Sequence, residues 1–339
     1  MARYPMSRQR GRRRNRINII LPLVIIAAVI VLVYGLNPFG KNKEQTPVSP
    51  NNVNVPEVNQ ATPSEPPALP PEPNLLTIPE PTAESNPEVG ELTAEAMALI
   101  NENTGRIIEA RNILNEALPM AMSSQQRTFV KNQLSALADK WLFSKSVFPE
   151  DKLCERYTVK PGDQLRAIGK QFKVPYEILM QLNNIPRPEA LQAGETIKVI
   201  NGPFHARVYR STFTIDLYLQ NTYIRSFPVG LGKPGMETPT GIWIVKEGGK
   251  LIKPIWTDPI TGKTYHPESD DYPLGSRWIG LKGISGQAKD RTGFAIHGTK
   301  KPDEIGTPGS QGCIRLHNGD VILVYNLLEQ GLSQVEVVE

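Results

Sequence analysis

The chain has 339 residues, of which 38 are basic and 34 acidic, giving a formal net charge of +4 at pH 7. Seven arginines and no acidic residue lie in residues 1–16, and without them 31 basic residues stand against 34 acidic ones, a balance of −3. The remainder of the chain is mildly acidic, which argues against a protein that binds nucleic acid or another polyanion.

The first predicted element is an apolar helix directly after the basic arm. Ile19 to Leu36 runs for 18 residues without a charge, and as a helix it would span about 27 Å, close to the hydrocarbon thickness of a bilayer. Arginine clusters stay on the cytoplasmic side. We therefore expect a cytoplasmic arm at 1–16 and an uncleaved transmembrane anchor at 17–36. A cleaved signal peptide is the alternative, but no small-x-small cleavage site follows the run cleanly.

Residues 37–90 are predicted to be a disordered linker. They contain 13 prolines, many polar residues and few aromatic ones, so they cannot bury enough apolar surface to fold. Such a linker reaches roughly 40 Å as a flexible coil and up to about 170 Å as polyproline II. A domain tethered in this way could work on a layer beyond the membrane surface.

Residues 91–150 are predicted to form a small all-α unit. Two sets of apolar residues recur at helical spacing on either side of Pro119, and Ser123 with Gln126 predicts a capping box for the later helix. The sets are Leu99, Ile107, Ile108, Ala110, Ile113, Leu114, Ala117 and Leu118, then Phe129, Val130, Leu134, Leu137, Ala138 and Trp141. The unit is either a spacer packed on the next domain, which we favour, or a docking surface for a partner that the sequence does not identify.

Residues 155–201 read as strand, helix, helix, strand. Tyr157 to Val159 predicts the first strand, Asp163 is placed to cap the first helix, and Ile197 to Ile200 predicts the returning strand. This βααβ order and its sequence resemble a LysM domain, and the run that carries the resemblance is YTVKPGDQLRAIGKQFKVPYEILMQLNNIPRPEALQAGETIKVI.

The LysM resemblance implies a groove for glycans that contain N-acetylglucosamine. The groove would lie between the first turn and the loop before the last strand. The implied glycan-binding residues are Gly162, Asp163, Gln164, Leu165, Asn184 and Ile185. Gln164 stands where the family commonly has Thr or Ser, and all six residues also have a structural interpretation as cap and core.

Residues 203–339 are predicted to be mainly β. Four stretches alternate or are rich in β-branched and aromatic residues, and turn residues separate them. The stretches are Arg207 to Tyr209, Thr212 to Leu219, Tyr223 to Val229 and Gly241 to Lys246. Asn318 is placed to cap a late helix, and Gln334 to Val338 predicts the last strand. The long segment Gly248 to Tyr272 is expected to be mostly irregular and to cover a substrate.

Chemistry concentrates between His297 and Cys313, which are 16 positions apart. An apolar run ends at His297, and Cys313 begins a second alternating run, so a Pro/Gly-rich loop can fold back and place imidazole beside thiol. A neighbouring imidazole can accept the thiol proton, which creates the nucleophilic thiolate. Gly312 permits a tight turn whose backbone amides could hold an oxyanion, and Arg315 could grip a carboxylate. The alternative is that both residues are structural: Cys313 is a small buried residue of the core, and His297 is a core histidine whose ring nitrogens are hydrogen-bonded.

These residues resemble the catalytic motif of the L,D-transpeptidase (YkuD-like) family. The motif-bearing segments are His297-Gly298-Thr299 and Ser310-Gln311-Gly312-Cys313-Ile314-Arg315, with further similar segments at Thr238 to Trp243 and Pro273 to Trp278. Gln311 departs from the common form, which has a second histidine there, so we expect His297 to be the base. The resemblance implies a β-sandwich and orientation of His297 through the Gly298 carbonyl. The predicted catalytic set is Cys313, His297, Gly298, Gly312, Ser310 and Arg315.

The two cysteines are expected to be free thiols. A bond between Cys154 and Cys313 would remove the nucleophile, so we expect Cys154 to be a packed residue at the junction of the helical unit and the LysM domain. No cluster of potential ligands has metal spacing, and we expect no metal or cofactor. His266, in the long segment, has no motif partner.

The predicted fold is multidomain: a transmembrane helix, a small all-α unit, a βααβ LysM domain and a mainly-β sandwich of the L,D-transpeptidase type. Both resemblances imply peptidoglycan, its glycan and its stem peptide, as partner and substrate. We expect an L,D-transpeptidase that acts through a Cys313 thioester, anchored by one helix in a bacterial cytoplasmic membrane with its catalytic domain on the periplasmic or cell-wall side. Two alternatives remain: an L,D-carboxypeptidase using the same site, and a non-catalytic tether that binds the wall.

Overall fold

The computed structural model of the protein describes residues 75–101 and 106–339. The predicted basic arm (1–16), the predicted transmembrane anchor (17–36) and residues 37–74 of the predicted linker lie outside this part. Within the described ranges, no helix is both long and apolar enough to cross a membrane.

The helical unit begins earlier than predicted. Its helices are α1 (Pro87–Asn101), α2 (Ile107–Ala117) and α3 (Ser124–Trp141). Proline is favoured at the first helical position, where its missing N–H would be unpaired anyway, and this explains why α1 starts at Pro87. The capping box of Ser123 and Gln126 at α3 is confirmed.

The prediction of disorder is wrong for residues 75–90. Leu75 is buried, and the Gln126 side chain bonds the Asn86 backbone on both sides, accepting from its N–H at 2.8 Å and donating to its C=O at 2.7 Å. Apolar and polar anchors therefore fix this stretch despite its proline content.

The LysM domain has the predicted βααβ order. Its elements are β1 (Cys154–Thr158), α4 (Leu165–Gln171), α5 (Tyr176–Asn183) and β2 (Thr196–Ile200). The two strands pair antiparallel, from Cys154 opposite Ile200 to Thr158 opposite Thr196. The helices pack on this ladder through buried Ile168, Leu179 and Leu182.

Residues 203–339 contain most of the described strands. They are β3 (Phe204–Tyr209), β4 (Thr214–Leu219), β5 (Thr222–Pro228), β6 (Leu231–Gly232), β7 (Gly241–Leu251), β8 (Trp256–Thr257), β9 (Thr264–Tyr265), β10 (Trp278–Gly283), β11 (Phe294–His297), β12 (Pro308–Ser310), β13 (Ile314–Arg315) and β14 (Gln334–Val338). The helix α6 (Asn318–Leu327) lies between β13 and β14.

Eight strands form one continuous mixed sheet, in the order β13-β11-β10-β7-β14-β3-β4-β5. The predicted sandwich of two sheets is therefore only partly right. The last strand, β14, inserts between β3 and β7 and joins the N-terminal hairpins to the C-terminal strands. The pairs β14–β3 and β11–β13 are parallel, whereas the sequence predicted antiparallel hairpins.

Buried ion pairs join the helical unit to both neighbours. Lys131 on α3 binds the fully buried Asp216 of β4 at 2.6 Å. Arg111 on α2 binds buried Asp151, just before the LysM domain, at 2.9 Å. A buried charge that loses its partner is strongly destabilising, so these contacts support the spacer interpretation of the helical unit.

Candidate active site

The parallel ladder of β11 and β13 sets the geometry of the site. Ile296 pairs with Ile314, and His297 pairs with Arg315. Both isoleucines are buried, so the alternation of side chains along a strand puts His297, Arg315 and Cys313 on the opposite face of the sheet. The fold thus brings together the three side chains that the sequence singled out.

The thiol and the imidazole face the same space without a direct bond. Cys313 lies two residues before Arg315, the partner of His297, so strand spacing puts the two Cα atoms about 8 Å apart, within the combined reach of the side chains. No hydrogen bond between Cys313 Sγ and the imidazole is present in the described part of the chain. A proton transfer between them therefore requires a small approach of the side chains.

Two contacts fix the His297 ring. Its Nδ1 lies 2.6 Å from the Gly298 carbonyl oxygen, the contact that the family resemblance implied. A carbonyl only accepts, so Nδ1 carries the hydrogen and Nε2 carries the lone pair. The Trp278 ring stacks on the imidazole with centroids 5.6 Å apart. Burial lowers the pKa of His297 to about 4, and the positive charge of Arg315 adds to this effect.

The Cys313 thiol is half-buried, and burial raises its pKa. A backbone hydrogen bond from Ala295 and the charge of Arg315 oppose that rise. With the imidazole pKa lowered and the thiol pKa raised, both groups are neutral at pH 7. Both shifts favour the neutral forms of the two groups, a thiol beside a neutral imidazole.

Ser310 closes the turn that carries the nucleophile. Its buried hydroxyl donates to the Cys313 carbonyl at 2.6 Å and accepts from the Gly312 amide at 3.0 Å. The Gly312 amide is thus already bonded, so it is not the oxyanion donor that the sequence allowed. The amide of Cys313 is the remaining candidate in this turn.

Gly312 is required by both its backbone and its neighbours. Its φ is +109°, and a Cβ there would lie 2.7 Å from the Phe294 ring. Thr238, also buried, donates its hydroxyl to the Gly312 carbonyl at 2.9 Å and accepts from the Gly232 amide at 3.2 Å. Thr238 and Ser310 therefore hold the nucleophile turn from two sides.

Asn318 locks the loop after His297, and its predicted role as a helix cap is wrong. His317 occupies the N-cap of α6 without a side-chain cap bond. The Asn318 side chain instead accepts from the Ser276 amide at 3.0 Å and donates to the Thr299 carbonyl at 2.9 Å. A Cβ on Gly298 would lie 2.9 Å from the Ser276 amide, so glycine permits this close approach.

Arg315 is engaged by the protein itself. Its guanidinium pairs with the Glu304 carboxylate and lies 3.5 Å from the Gly309 carbonyl. One guanidinium nitrogen, Nη1, is thus occupied by groups of the protein.

A groove of about 500 Å³ lies beside the nucleophile turn. Phe294 and Gln311 line it on the side of the turn, and Pro259 and Ile260 come from the long segment 248–272. That segment is less irregular than predicted, because β7 extends to Leu251 and β8 pairs with β9. Its placement over the groove fits the predicted cover for a substrate.

The predicted LysM groove is partly core. Leu165 and Ile185 are buried, whereas Gly162, Gln164 and Asn184 are exposed. The N-cap of α4 is Gln164, without a side-chain cap bond, so the prediction that Asp163 caps this helix is wrong.

The Asp163 carboxylate serves the turn instead. It accepts hydrogen bonds from the Lys160 amide and the Tyr157 hydroxyl, both at 2.8 Å. Of the predicted set, Gly162, Gln164 and Asn184 are exposed and Asp163 is half-buried, so these four offer side chains or open backbone to a ligand.

The cysteine and histidines outside the catalytic motif show no sign of a catalytic role in the described part of the chain. Both cysteines are free, and burial raises the pKa of Cys154 to about 12. His205 is a buried histidine whose Nδ1 accepts from the Gln334 amide at 3.2 Å, and His266 is exposed. Across residues 75–101 and 106–339, no group of three His, Cys, Asp or Glu side chains is placed to hold a metal.

We call the surroundings of His297 and Cys313 the catalytic corner. The sequence did not predict that four further residues belong to it: Thr238, Trp278, Glu304 and Asn318. Thr238 and Trp278 lie in segments already marked as similar to the family, which was the available signal. Glu304 lies in the Pro/Gly-rich spacer and has no sequence signal of its own.

Two protein-family models match the chain. The L,D-transpeptidase catalytic domain (YkuD) matches residues 203–337, and the LysM domain matches residues 157–199. YkuD of Bacillus subtilis strain 168, named as a candidate L,D-transpeptidase, is 32% identical over 183 residues, covering 52% of this chain and 94% of YkuD. Its namesake from Bacillus licheniformis is 28% identical, with the same coverage. ErfK/SrfK of Escherichia coli K12, also named as a candidate L,D-transpeptidase, is 31% identical over 182 residues, half of each chain.

Proposed function

We propose, on the premise that the chain belongs to the L,D-transpeptidase family, that it joins stem peptides of peptidoglycan by acyl transfer through Cys313. The observation that carries this proposal is the parallel β11–β13 ladder, which sets His297 and Cys313 on one face of the sheet, next to a groove that the neighbouring Gln311 and Phe294 line.

The proposed first step forms a thioester. Cys313 Sγ attacks the carbonyl carbon of the third residue of a tetrapeptide stem, while the thiol proton passes to His297 Nε2. The amide of Cys313 stabilises the oxyanion that forms. The C–N bond to the terminal D-alanine then breaks, and His297 returns the proton to the leaving amine.

The second step resolves the thioester with an amine acceptor. The acceptor nitrogen attacks the thioester carbonyl, loses a proton to His297, and expels the Cys313 thiolate, which is reprotonated. If the amine is the side chain of a diamino acid on another stem, the product is a 3–3 crosslink. Water in place of the amine would give an L,D-carboxypeptidase.

The neutral resting pair fits attack coupled to proton transfer. Burial disfavours both the thiolate and the imidazolium, so ionisation is favoured only when a substrate carbonyl is present to receive the charge. The stack of Trp278 on His297 limits ring rotation and shields the imidazole from water.

The LysM domain is proposed to hold the glycan part of the same polymer. Its exposed Gly162, Gln164 and Asn184 lie around the turn and the loop that the family resemblance assigns to the glycan. Binding the glycan strand raises the local concentration of stem peptides near the groove.

Residues 17–36 are proposed to anchor the chain in the cytoplasmic membrane, with the catalytic domain on the wall side. The support is the charge-free run from Ile19 to Leu36 behind seven arginines. Carbonate extraction of membranes from cells that make the full chain tests this proposal. The full chain should stay in the pellet and a chain lacking residues 1–36 should not, whereas release of both would contradict an anchor.

The function is tested with the full chain and a defined disaccharide–tetrapeptide, read by mass spectrometry. A dimer that has lost one D-alanine is expected with the wild type and with Cys154→Ala, but not with Cys313→Ala. Loss of D-alanine without a dimer would support the carboxypeptidase. No product from folded protein would contradict catalysis and favour a wall-binding tether.

A further inference from the structure

The guanidinium of Arg315 is held by a carboxylate in the spacer between His297 and Cys313. Arg315 Nη1 contacts Glu304 Oε2, and the other carboxylate oxygen binds Lys301 Nζ at 2.7 Å. About a quarter of the Glu304 side chain and 22% of the Arg315 side chain are exposed, whereas Lys301 is 66% exposed. The pair lies at the edge of the site, between protein and solvent.

The backbone fixes both partners to the same corner. Glu304 ends a short 3₁₀ turn (Pro302–Glu304), and its carbonyl accepts from the Thr307 hydroxyl at 2.9 Å. Gly230 exchanges two backbone hydrogen bonds with Arg315, at 2.8 and 2.9 Å. A Cβ on Gly230 would come within 2.8 Å of the Glu304 carbonyl, so the Glu304 turn sits directly on the strand end that holds Arg315.

Arg315 is close to both reacting groups. It pairs with His297 in the parallel ladder and follows Cys313 by two residues. The described ionisable groups linked to Arg315 are Glu304, which pairs with it, and Lys301, which binds the same carboxylate. The charge of Arg315 acts on both Cys313 and His297.

We propose that Glu304 is a positioning residue that acts through Arg315: it anchors the guanidinium beside the reacting pair and keeps it from receiving a substrate carboxylate. This inference deepens the proposed function and rests on it for the identity of the reaction. It replaces the substrate grip that the sequence suggested for Arg315 with an internal role.

Removal of Glu304 can change the thiol in two opposite ways. If Glu304 anchors Arg315, its loss lets the long side chain turn to solvent, and the thiolate loses a nearby positive charge. If Glu304 only offsets Arg315, its loss leaves the cation in place and unopposed, which would favour the thiolate. The two models therefore predict opposite changes in thiol reactivity.

Alkylation by iodoacetamide tests this in the full chain and needs no transpeptidation. The rate at Cys313 is followed against pH by peptide mass spectrometry, with Cys313→Ala to show any background from Cys154. Glu304→Ala and Arg315→Gln should each raise the midpoint of the pH profile by on the order of half a pH unit. The double variant should move it no further than either single one.

Lys301→Met is the matched control, because Lys301 binds the same carboxylate from solvent. It should leave the profile unchanged, since exposed ion pairs contribute little. Glu304→Gln, which keeps the shape of the side chain, should move the midpoint in the same direction as Glu304→Ala and covers a failure of that variant to fold. A midpoint that falls or does not move in the Glu304 variants would overturn the proposal.

Turnover of the tetrapeptide gives a second, independent readout. With Glu304 as an anchor, kcat should fall in Glu304→Gln while KM stays near the wild-type value. If Glu304 competed with a substrate carboxylate for Arg315, the same substitution would lower KM and raise kcat/KM, which would also overturn the proposal. A shift in alkylation without any turnover would keep the positioning role and contradict the proposed function alone.

Discussion

The catalytic corner and the LysM groove were both recognised by motif, yet their residues are used differently. Around His297 and Cys313, the side chains of Ser310, Thr238 and Asn318 bind backbone groups and hold the loops that carry the two reacting residues. In the LysM domain, Leu165 and Ile185 are core and Asp163 is bonded within its own turn. A sequence motif therefore contains both residues that stabilise the fold and residues that contact the ligand. Burial and hydrogen bonding in the structure distinguish the first kind from the second.

The largest expected difference concerns Leu165 and its neighbour Gln164. Leu165→Ala should cost about 2–5 kcal/mol of the free energy of unfolding, as is typical for a fully buried leucine. Gln164→Ala should leave that free energy unchanged and weaken glycan binding. Chemical denaturation and pull-down on insoluble peptidoglycan measure the two quantities. Equal stability of the two variants would contradict the assignment of Leu165 to the core.

Acid should weaken the catalytic domain before the LysM domain. Burial lowers the pKa of both His297 and His205 to about 4. Between pH 6.5 and 5 the unfolded chain binds protons at these residues and the folded chain does not, so each costs roughly 2 kcal/mol of stability.

The LysM run 157–200 contains no histidine, which makes the contrast measurable. Hydrogen exchange at pH 7 and pH 5, corrected for the intrinsic rate, should show lost protection in β11 and β14 and little change in β1 and β2. Equal losses in both domains would contradict this prediction.

Gly312→Ala should lower acyl transfer by about 100-fold, because a shift of the nucleophile by about 1 Å can cost that much. The new Cβ meets the Phe294 ring at 2.7 Å, and the φ of +109° is strained for alanine. Gly319→Ala, where a Cβ meets nothing within 4 Å, is the control and should keep full activity. Steady-state rates of acyl transfer by the two variants test this prediction, and equal rates would contradict it.

Thr238→Val should have the smallest effect, a loss of about 1–3 kcal/mol in stability because two buried backbone groups lose their partner. Thr240→Val is the matched control, since the Thr240 hydroxyl makes no hydrogen bond in the described part of the chain. Thermal unfolding of both variants should separate them. A Thr238→Val protein as stable as the control would show that Gly312 and Gly232 find other partners.

Local patterns predicted the elements of this fold better than their assembly. The βααβ order, the capping box at Ser123 and the strand that ends at His297 all depend on near neighbours in sequence. The insertion of β14 between β3 and β7 depends on pairings of residues at least 90 positions apart on either side. Hydrophobic alternation does not encode which strand becomes a neighbour.

In the candidate site, too, local sequence patterns predicted the residues better than the contacts between distant segments. The nucleophile, the base and the turn residues follow from residue type and spacing. Asn318 looked like a helix cap because its type and position suit one, but the approach of Ser276 and Thr299 gives its side chain better partners. Glu304 and its contact with Arg315 follow from how the spacer folds, which no local pattern of the spacer specifies.

The most direct test of the account is the intact mass of the enzyme after brief exposure to the tetrapeptide donor without an acceptor amine. We expect a covalent adduct on Cys313 whose mass equals the donor minus D-alanine. The adduct should be present in Cys154→Ala and absent in Cys313→Ala. Turnover of the donor with no adduct on Cys313, or an adduct that persists in Cys313→Ala, would contradict this expectation.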